Sequence, residues 1–139
     1  MRLSTKGRYG LKAMFELALH SGEGPIPLKD IAESQNISEH YLEQLVATLR
    51  RAGYVNSVRG AQGGYLLSKA AKNITVGDVI RCLEGQIAPA ECVMEDAADC
   101  NRESYCVTQT VWKKIRDSVN EVIDNTTLQD MVDDHIKNH

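Results

Sequence analysis

The sequence predicts a mainly α-helical fold with one small β-hairpin, in which a winged helix-turn-helix precedes a long C-terminal helix. Apolar residues recur at helical spacing in several segments, and two short alternating segments flank a glycine-rich turn. The chain has 139 residues, of which 42% are hydrophobic and only 5% are aromatic. It is therefore long enough for one domain, or for a small domain with an appendage, around an aliphatic core.

The first helix is predicted over about residues 5–20, where apolar side chains follow the i, i+3, i+4, i+7 rule: Leu11, Met14, Phe15 and Ala18. Ser4 or Thr5 can cap its start. Glycines and prolines over residues 22–27 then break the helix.

Two further helices follow in close succession. The second is short and places Leu28, Ile31 and Ala32 on one face. It should end at Asn36, because Asn tolerates the left-handed conformation of a tight turn. The third is predicted from its cap, Ser38, to about Ala52. Two helices joined by so short a turn indicate a helix-turn-helix, although a helical hairpin in a bundle has the same pattern.

A β-hairpin is predicted immediately after the third helix. Residues 54–59 alternate as a strand does, residues 60–64 form a glycine-rich turn, and residues 65–68 return. A basic-tipped hairpin in this place is a wing. Arg59 stands at its tip, where a guanidinium could enter a minor groove or grip a phosphate.

The charge distribution indicates which half of the chain meets a polyanion. Residues 1–72 contain ten Lys or Arg against six Asp or Glu, whereas residues 73–139 contain six against thirteen. The basic half therefore favours nucleic acid as its partner. Side chains that could reach base edges from the third helix are Ser38, Glu39, His40, Glu43 and Gln44. Tyr41 could face the core or a phosphate, and Arg2, Lys6 and Arg50 could contact the DNA backbone.

The acidic half contains three more predicted helices. One begins at Thr75 with a near capping box, and a second runs from about Val107 to Asp124. The latter carries an apolar stripe that favours dimerisation or packing onto the chain's own core: Trp112, Ile115, Val119 and Val122. A final short helix starts at Thr127. We divide the chain into a DNA-binding domain (1–72), a connecting helix and cysteine loop (73–106), and a dimerisation region with a C-terminal helix (107–139).

Three of the four cysteines lie within an acidic stretch of fifteen residues that contains no long apolar run: Cys92, Cys100 and Cys106. Their C-x7-C-x5-C spacing lacks the CxxC pair typical of structural zinc sites and of thiol oxidoreductases. Three separated thiolates can hold an iron–sulfur cluster if a fourth ligand lies nearby. Redox-active thiols and incidental cysteines remain the alternatives. Cys82, on the predicted fourth helix, is interpreted as a small packing residue.

The motifs of residues 1–68 closely resemble those of the Rrf2 family of winged-helix transcription regulators. The matching stretches are residues 3–10 (LSTKGRYG), 37–45 (ISEHYLEQL) and 58–66 (VRGAQGGYL). The likeness continues to residues 125–128 (NTTL). Because three loop cysteines are present, the chain resembles the iron–sulfur-sensing IscR branch most, with the cysteine-metabolism CymR branch second.

The resemblance implies a homodimeric repressor or activator that reads a palindromic operator and whose 2Fe–2S cluster tunes its choice of DNA. Cys92, Cys100 and Cys106 match the cluster cysteines, Arg59 the wing arginine, and the base-reading helix is matched by Ser38, His40, Tyr41, Glu43 and Gln44. Two features depart from the family pattern. The first two cysteines are two residues further apart than in the best-known members, and Gln109 replaces the histidine that is the usual fourth ligand. Gln109, Glu103, Cys82 or a group of the partner subunit could take that place.

Two other functions compete with a cluster-sensing regulator. The CymR branch implies a repressor controlled by a protein partner or by thiol oxidation, without a cluster. An enzyme is not expected, because the sequence has no CxxC, no Rossmann glycine fingerprint and no nucleophile–base pair. A cytoplasmic protein with reduced thiols is expected, since no signal peptide or membrane-spanning apolar run is visible.

Overall fold

A computed structural model describes residues 3–94 and 106–139 and confirms the predicted fold class. Within these residues, six α-helices and one two-stranded sheet follow in the order α1 (Thr5–Leu19), α2 (Leu28–Gln35), α3 (Glu39–Arg51), β1 (Val55–Val58), β2 (Gly64–Leu67), α4 (Val76–Glu84), α5 (Val107–Asp124) and α6 (Leu128–Asn138). Short 3₁₀ turns at Ala71–Asn73 and Glu91–Val93 precede α4 and follow it.

The helix boundaries are set by the predicted capping residues. The Ser4 hydroxyl accepts a hydrogen bond from the Lys6 amide at the start of α1, and Ser38 accepts one from Tyr41 at the start of α3. Asn36 ends α2 with φ of 54°, the left-handed conformation that Asn tolerates. Each cap satisfies backbone groups that a helix end leaves without an intrahelical partner. The turn of the helix-turn-helix is therefore determined by local chemistry.

The wing is an antiparallel hairpin that is attached to the start of α2. Val55 pairs with Leu67 and Val58 with Gly64. Ile26 extends this sheet, because its amide donates to the Tyr65 carbonyl at 2.9 Å and its carbonyl accepts from the Tyr65 amide at 2.8 Å. A Cβ at Gly64 would lie 2.3 Å from the Ile26 carbonyl, so this close approach requires glycine.

The main hydrophobic cluster joins the winged helix to the C-terminal helix. It contains Met14 of α1, Ile31 of α2, Leu42 and Leu49 of α3, and Leu128 of α6, all fully buried. Backbone hydrogen bonds from Val76 to Thr126 and from Leu128 to Ile74 hold the start of α6 beside the start of α4. Helices α1, α2 and α3 thus share one core with α6. The domain limits at residues 72 and 106 remain a prediction.

A second, smaller cluster connects α4 to α5. Val76, Ile80 and Ile87 are buried there against Val119 and Ile123 of α5. Next to this cluster, the Arg81 guanidinium donates to both carboxylate oxygens of Asp124, at 2.7 and 2.8 Å, and to Asn120 at 2.8 Å. A bidentate pair of this kind fixes the rotation of α5 relative to α4.

Most of the α5 surface is not covered by the described part of its own chain. Val107, Val111 and Val122 are 79%, 49% and 64% exposed, and Trp112 and Ile115 are half-buried. Val119 packs inward as the alternative interpretation of the stripe predicted, whereas Val122 points away from the second cluster. No helix of the described residues combines the length and apolar composition needed to cross a membrane.

Candidate DNA interface and cysteine loop

The exposed side of α3 carries the predicted base-reading side chains. Its buried side is formed by Leu42, Leu45, Val46 and Leu49. The opposite side exposes Ser38, Glu39, His40, Glu43 and Gln44. One turn apart on that side, the Gln44 amide and the His40 ring lie 3.4 Å from each other. The helix therefore presents donors and acceptors of mixed type, as direct reading of base edges in a major groove requires.

Tyr41 faces α1, an environment that the sequence did not predict. Its hydroxyl shares a hydrogen bond of 2.8 Å with the Thr5 hydroxyl, and its ring meets the Tyr9 ring edge-on at 6.0 Å between centroids. The Lys12 ammonium lies over the Tyr9 ring, 5.4 Å from its centroid. Tyr41 is therefore half-buried and connects the start of α1 to the start of α3.

The end of α3 is joined to the wing through Arg50. The Arg50 guanidinium donates to the Ser57 hydroxyl of β1 at 3.1 Å while the side chain stays exposed. Arg59 is exposed directly after β1, and Lys6 is exposed near the start of α1. These three cations are accessible to phosphate. Arg2 lies outside the described residues.

The two described loop cysteines belong to two neighbouring elements that pack against each other. Cys92 lies in the 3₁₀ turn Glu91–Val93, and Cys106 is the N-cap residue of α5. The Arg116 guanidinium of α5 donates to the Val93 carbonyl at 2.8 Å, which attaches this turn to the helix. Both thiols are partly exposed, and the Cys106 sulfur lies 3.1 Å from the Thr108 hydroxyl. Cys100 and Glu103 lie outside the described residues.

Gln109 occupies an unusual position in α5. It is 6% exposed and is the one buried residue of this helix. Its backbone N–H donates to the Cys106 carbonyl at 3.1 Å, so the two residues lie one turn apart on the same side. A buried carboxamide near the candidate ligand Cys106 offers an oxygen donor where the family resemblance implies a histidine.

Cys82 faces away from α5 and is therefore poorly placed as a fourth ligand. Its sulfur lies 4.0 Å from the Thr48 carbonyl of α3, and its side chain packs against the main cluster. Ile80, two residues earlier, faces the second cluster beside α5. Burial raises the pKa of the Cys82 thiol, and the nearby Arg51 partly offsets this shift. A protonated, packed thiol agrees with its interpretation as a packing residue.

The described residues supply part of the donor set that a 2Fe–2S cluster requires. Of the three candidate cysteines, Cys92 lies within the 3₁₀ turn and Cys106 caps α5, two elements in mutual contact, and the buried Gln109 lies one helical turn from Cys106. Thiolates are the usual ligands of such clusters. Among residues 3–94 and 106–139, no group of three His, Cys, Asp or Glu side chains could hold a metal. The residues present fit a cluster only if Cys100 joins them.

The exposed α3, the arginine-tipped wing and the basic first half define a winged helix-turn-helix DNA-binding protein. The Rrf2 family, described as iron-dependent transcriptional regulators, matches residues 3–134. The chain belongs to this family and is a DNA-binding transcription regulator. Its relatives are regulators and not enzymes.

Both branches of the family are represented among the similar proteins. The transcriptional regulator CymR of Bacillus subtilis is 56% identical over 131 residues, which cover 94% of this chain and 89% of CymR. Its solved structure, described as that of the global cysteine regulator, has a TM-score of 0.79 over 96% of this chain and 97% of that one. IscR of Pectobacterium carotovorum is 46% identical over 95% of this chain and 79% of its own length.

A solved IscR structure is about as similar as the solved CymR structure. IscR of T. potens has a TM-score of 0.80 and 51% identity over 97% of this chain and 88% of that one. The expectation that the chain resembles IscR more than CymR is not confirmed, since CymR fits at least as well. Overall similarity reflects the shared fold, and the loop chemistry must distinguish the two branches.

Proposed function

We propose that the protein is a homodimeric transcription regulator that senses 2Fe–2S cluster status through Cys92, Cys100 and Cys106 and controls genes of cluster assembly or of iron and sulfur metabolism. The observation that carries this proposal is the position of Cys92 and Cys106 on two elements joined by the Arg116–Val93 hydrogen bond. A ligand held between these elements would alter how the turn at Glu91–Val93 sits on α5.

The chain's own residues would hold the cofactor in a mixed sulfur and oxygen environment. The three thiolates would be the protein's sulfur ligands, and Gln109, buried one turn after Cys106, would offer its carboxamide oxygen. When bound, the cluster would supply a redox-active and oxygen-sensitive centre. A neutral amide binds iron more weakly than imidazole or thiolate does, so this fourth position favours a labile centre.

The homodimer would form through α5, because three of the six large apolar side chains exposed among the described residues lie on this one helix: Val107, Val111 and Val122. Val111 and Val122 are about half and two-thirds exposed, and Trp112 and Ile115 are only half-buried. Exposed apolar surface of this kind marks interaction sites. A two-fold dimer would place two α3 helices on successive major grooves of a palindromic operator.

Anaerobic purification followed by iron and acid-labile sulfide analysis tests the proposal. We expect charge-transfer absorption between roughly 400 and 600 nm, with loss of that absorption in Cys92→Ser. The matched control is Cys82→Ser, which should keep the absorption because Cys82 packs against α3. A colourless protein with stoichiometric zinc would overturn the assignment.

A second candidate is a cysteine-metabolism repressor controlled by a protein partner or by thiol oxidation, without a cluster. The 56% identity to CymR favours it. This candidate predicts that the cluster-free protein binds its operator and loses affinity after mild peroxide treatment, with recovery on thiol reduction. If peroxide no longer lowers the operator affinity of Cys92→Ser, the loop thiols are supported as the switch. If Cys92→Ser loses affinity after peroxide as the wild type does, Cys92 is excluded.

A further inference from the structure

We infer that Glu84 is a positioning residue that couples the cysteine loop to the recognition helix α3. Glu84 is the last residue of α4, and its Oε1 atom accepts a hydrogen bond of 2.6 Å from the Ser4 amide and another from the Ser4 hydroxyl. Ser4 is the N-cap of α1. The inference rests on the proposed regulation of DNA binding by the loop.

The charge of Glu84 suits its neighbour better than its own helix. A carboxylate at the end of α4 is unfavourable for the dipole of that helix, where cations are preferred. The first turn of α1 contains no acidic residue, although its positive end favours one. Glu84 supplies that negative charge from another element. Its placement therefore depends on α4 and α1 staying together.

Helices α1 and α4 approach each other closely next to Glu84, where α1 carries two glycines. A Cβ at Gly7 would lie 2.7 Å from the Glu84 Oε2 atom, and a Cβ at Gly10 would lie 2.0 Å from a Leu83 methyl carbon. The Oε2 atom is buried and has no hydrogen-bond partner among the described residues. A buried carboxylate oxygen without a partner is costly. The contact is consequently sensitive to small movements of either helix.

Both ends of this contact lead to functional elements. Gly85 follows Glu84 with φ of 82°, and the chain reaches Cys92 seven residues later. On the other side, Thr5 directly follows Ser4 and shares its hydroxyl hydrogen bond with Tyr41, beside His40 on α3. A loop movement that shifts Glu84 would thus move the first turn of α1 and, through Thr5 and Tyr41, the base-reading end of α3.

The test compares operator affinity of cluster-loaded and cluster-free protein, using a duplex selected from a random pool and fluorescence anisotropy. In the wild type we expect the two affinities to differ by at least about fivefold. Glu84→Gln keeps the side-chain size and should bring this ratio close to one. Gly7→Ala keeps the charge but displaces the carboxylate, and it should act in the same direction.

Matched controls separate coupling from charge and from folding. Glu33→Gln removes the same charge from an exposed position on α2, and it should shift both affinities by one factor and leave their ratio unchanged. A purely structural role for Glu84 would likewise change stability or both affinities without changing the ratio. A wild-type ratio in Glu84→Gln would overturn the inference.

A second arm does not depend on a cluster. In cluster-free protein, Glu84→Gln and Thr5→Val should be non-additive in operator affinity by at least roughly threefold, because they act in one chain of contacts. If the wild type binds no cluster, or binds the operator equally with and without it, the proposed function fails. The double-mutant cycle alone then tests the role of Glu84. Additive effects would then refute the role of Glu84.

Discussion

Helices α3 and α5 are both amphipathic, but the apolar side of α3 is buried and that of α5 is largely exposed. In α3, Leu42, Leu45, Val46 and Leu49 are all buried by the chain itself. In α5, which is five residues longer, Val107, Val111 and Val122 remain exposed and only Gln109 is buried. An apolar stripe therefore shows that a helix side needs a cover, but the stripe does not identify the cover.

The two helices also differ in what attaches them to the rest of the molecule. The apolar side of α3 is fully covered, whereas α5 has only partial apolar packing, to which polar contacts with neighbouring elements add. Arg81 of α4 binds Asp124 and Asn120 near the end of α5, and Arg116 in the middle of α5 binds the Val93 carbonyl. The packing of α3 thus depends mainly on one fully covered apolar side. α5 is held at defined points, and this arrangement suits an element that responds to the neighbouring loop.

The largest expected effect is on the free energy of unfolding, which should depend strongly on the buried side of α3 and little on the exposed side of α5. Leu49→Ala should lower the free energy of unfolding by about 2–5 kcal/mol, because Leu49 is fully buried in the main cluster. Val107→Ala on α5 should change it by less than about 0.5 kcal/mol. Chemical denaturation at protein concentrations too low for self-association measures both. Equal losses would show that α5 is covered within the monomer.

The next prediction concerns the partner of α5. Val111→Glu should weaken self-association by at least roughly tenfold, because it places a charge in an apolar contact, while the monomer stays folded. Lys113→Glu, on a different side of α5, is the control and should have a much smaller effect. Analytical ultracentrifugation gives the dissociation constants. If Val111→Glu sediments as the wild type does, α5 is not the dimer contact.

On the DNA side, Arg59→Ala should weaken operator binding by about tenfold and reduce the slope of log affinity against log salt by about one. The arginine is exposed at the wing tip, so its removal leaves the fold intact. Lys137→Ala on α6 serves as the control for the loss of one cation. Anisotropy titrations at several salt concentrations measure the slopes, and identical slopes for both variants would remove Arg59 from the interface.

The smallest expected effect distinguishes the two described types of cysteine environment. Burial raises the pKa of Cys82, so its thiolate fraction near neutral pH is below that of an ordinary thiol and grows only at higher pH. Alkylation of cluster-free protein at pH 7.5 should label Cys92 several-fold faster than Cys82 by peptide mass spectrometry. Equal rates would contradict the packed environment of Cys82.

Local signals made the first half of the fold predictable. Ser38 and Asn36 act within a few residues of the chain, so their caps could be inferred from the sequence alone. The rotation of α5 could not be inferred, because it depends on distant partners such as Arg81 and Asp124. The predicted stripe therefore included Val122, whereas in the structure the neighbouring Ile123 is the partly buried residue that packs against the second cluster beside α4.

The candidate site shows the same division. Exposure of His40 and Gln44 followed from helical periodicity, but the contact of Tyr41 with Thr5 required the packing of α1 on α3. Glu84 was not identified from the sequence. The one available signal was Gly7 and Gly10, two small residues one turn apart on α1, which are typical of a close helix contact. The identity of the opposing carboxylate depends on tertiary structure.

The central claim is that the state of the cysteine loop changes how α3 reads DNA. One measurement tests it most directly: operator affinity of the same wild-type preparation before and after anaerobic cluster reconstitution, with Cys92→Ser treated in parallel. We expect a difference of at least about fivefold in the wild type and none in Cys92→Ser. Equal affinities in the wild type, with the cluster shown to be present by iron and sulfide analysis, would contradict it.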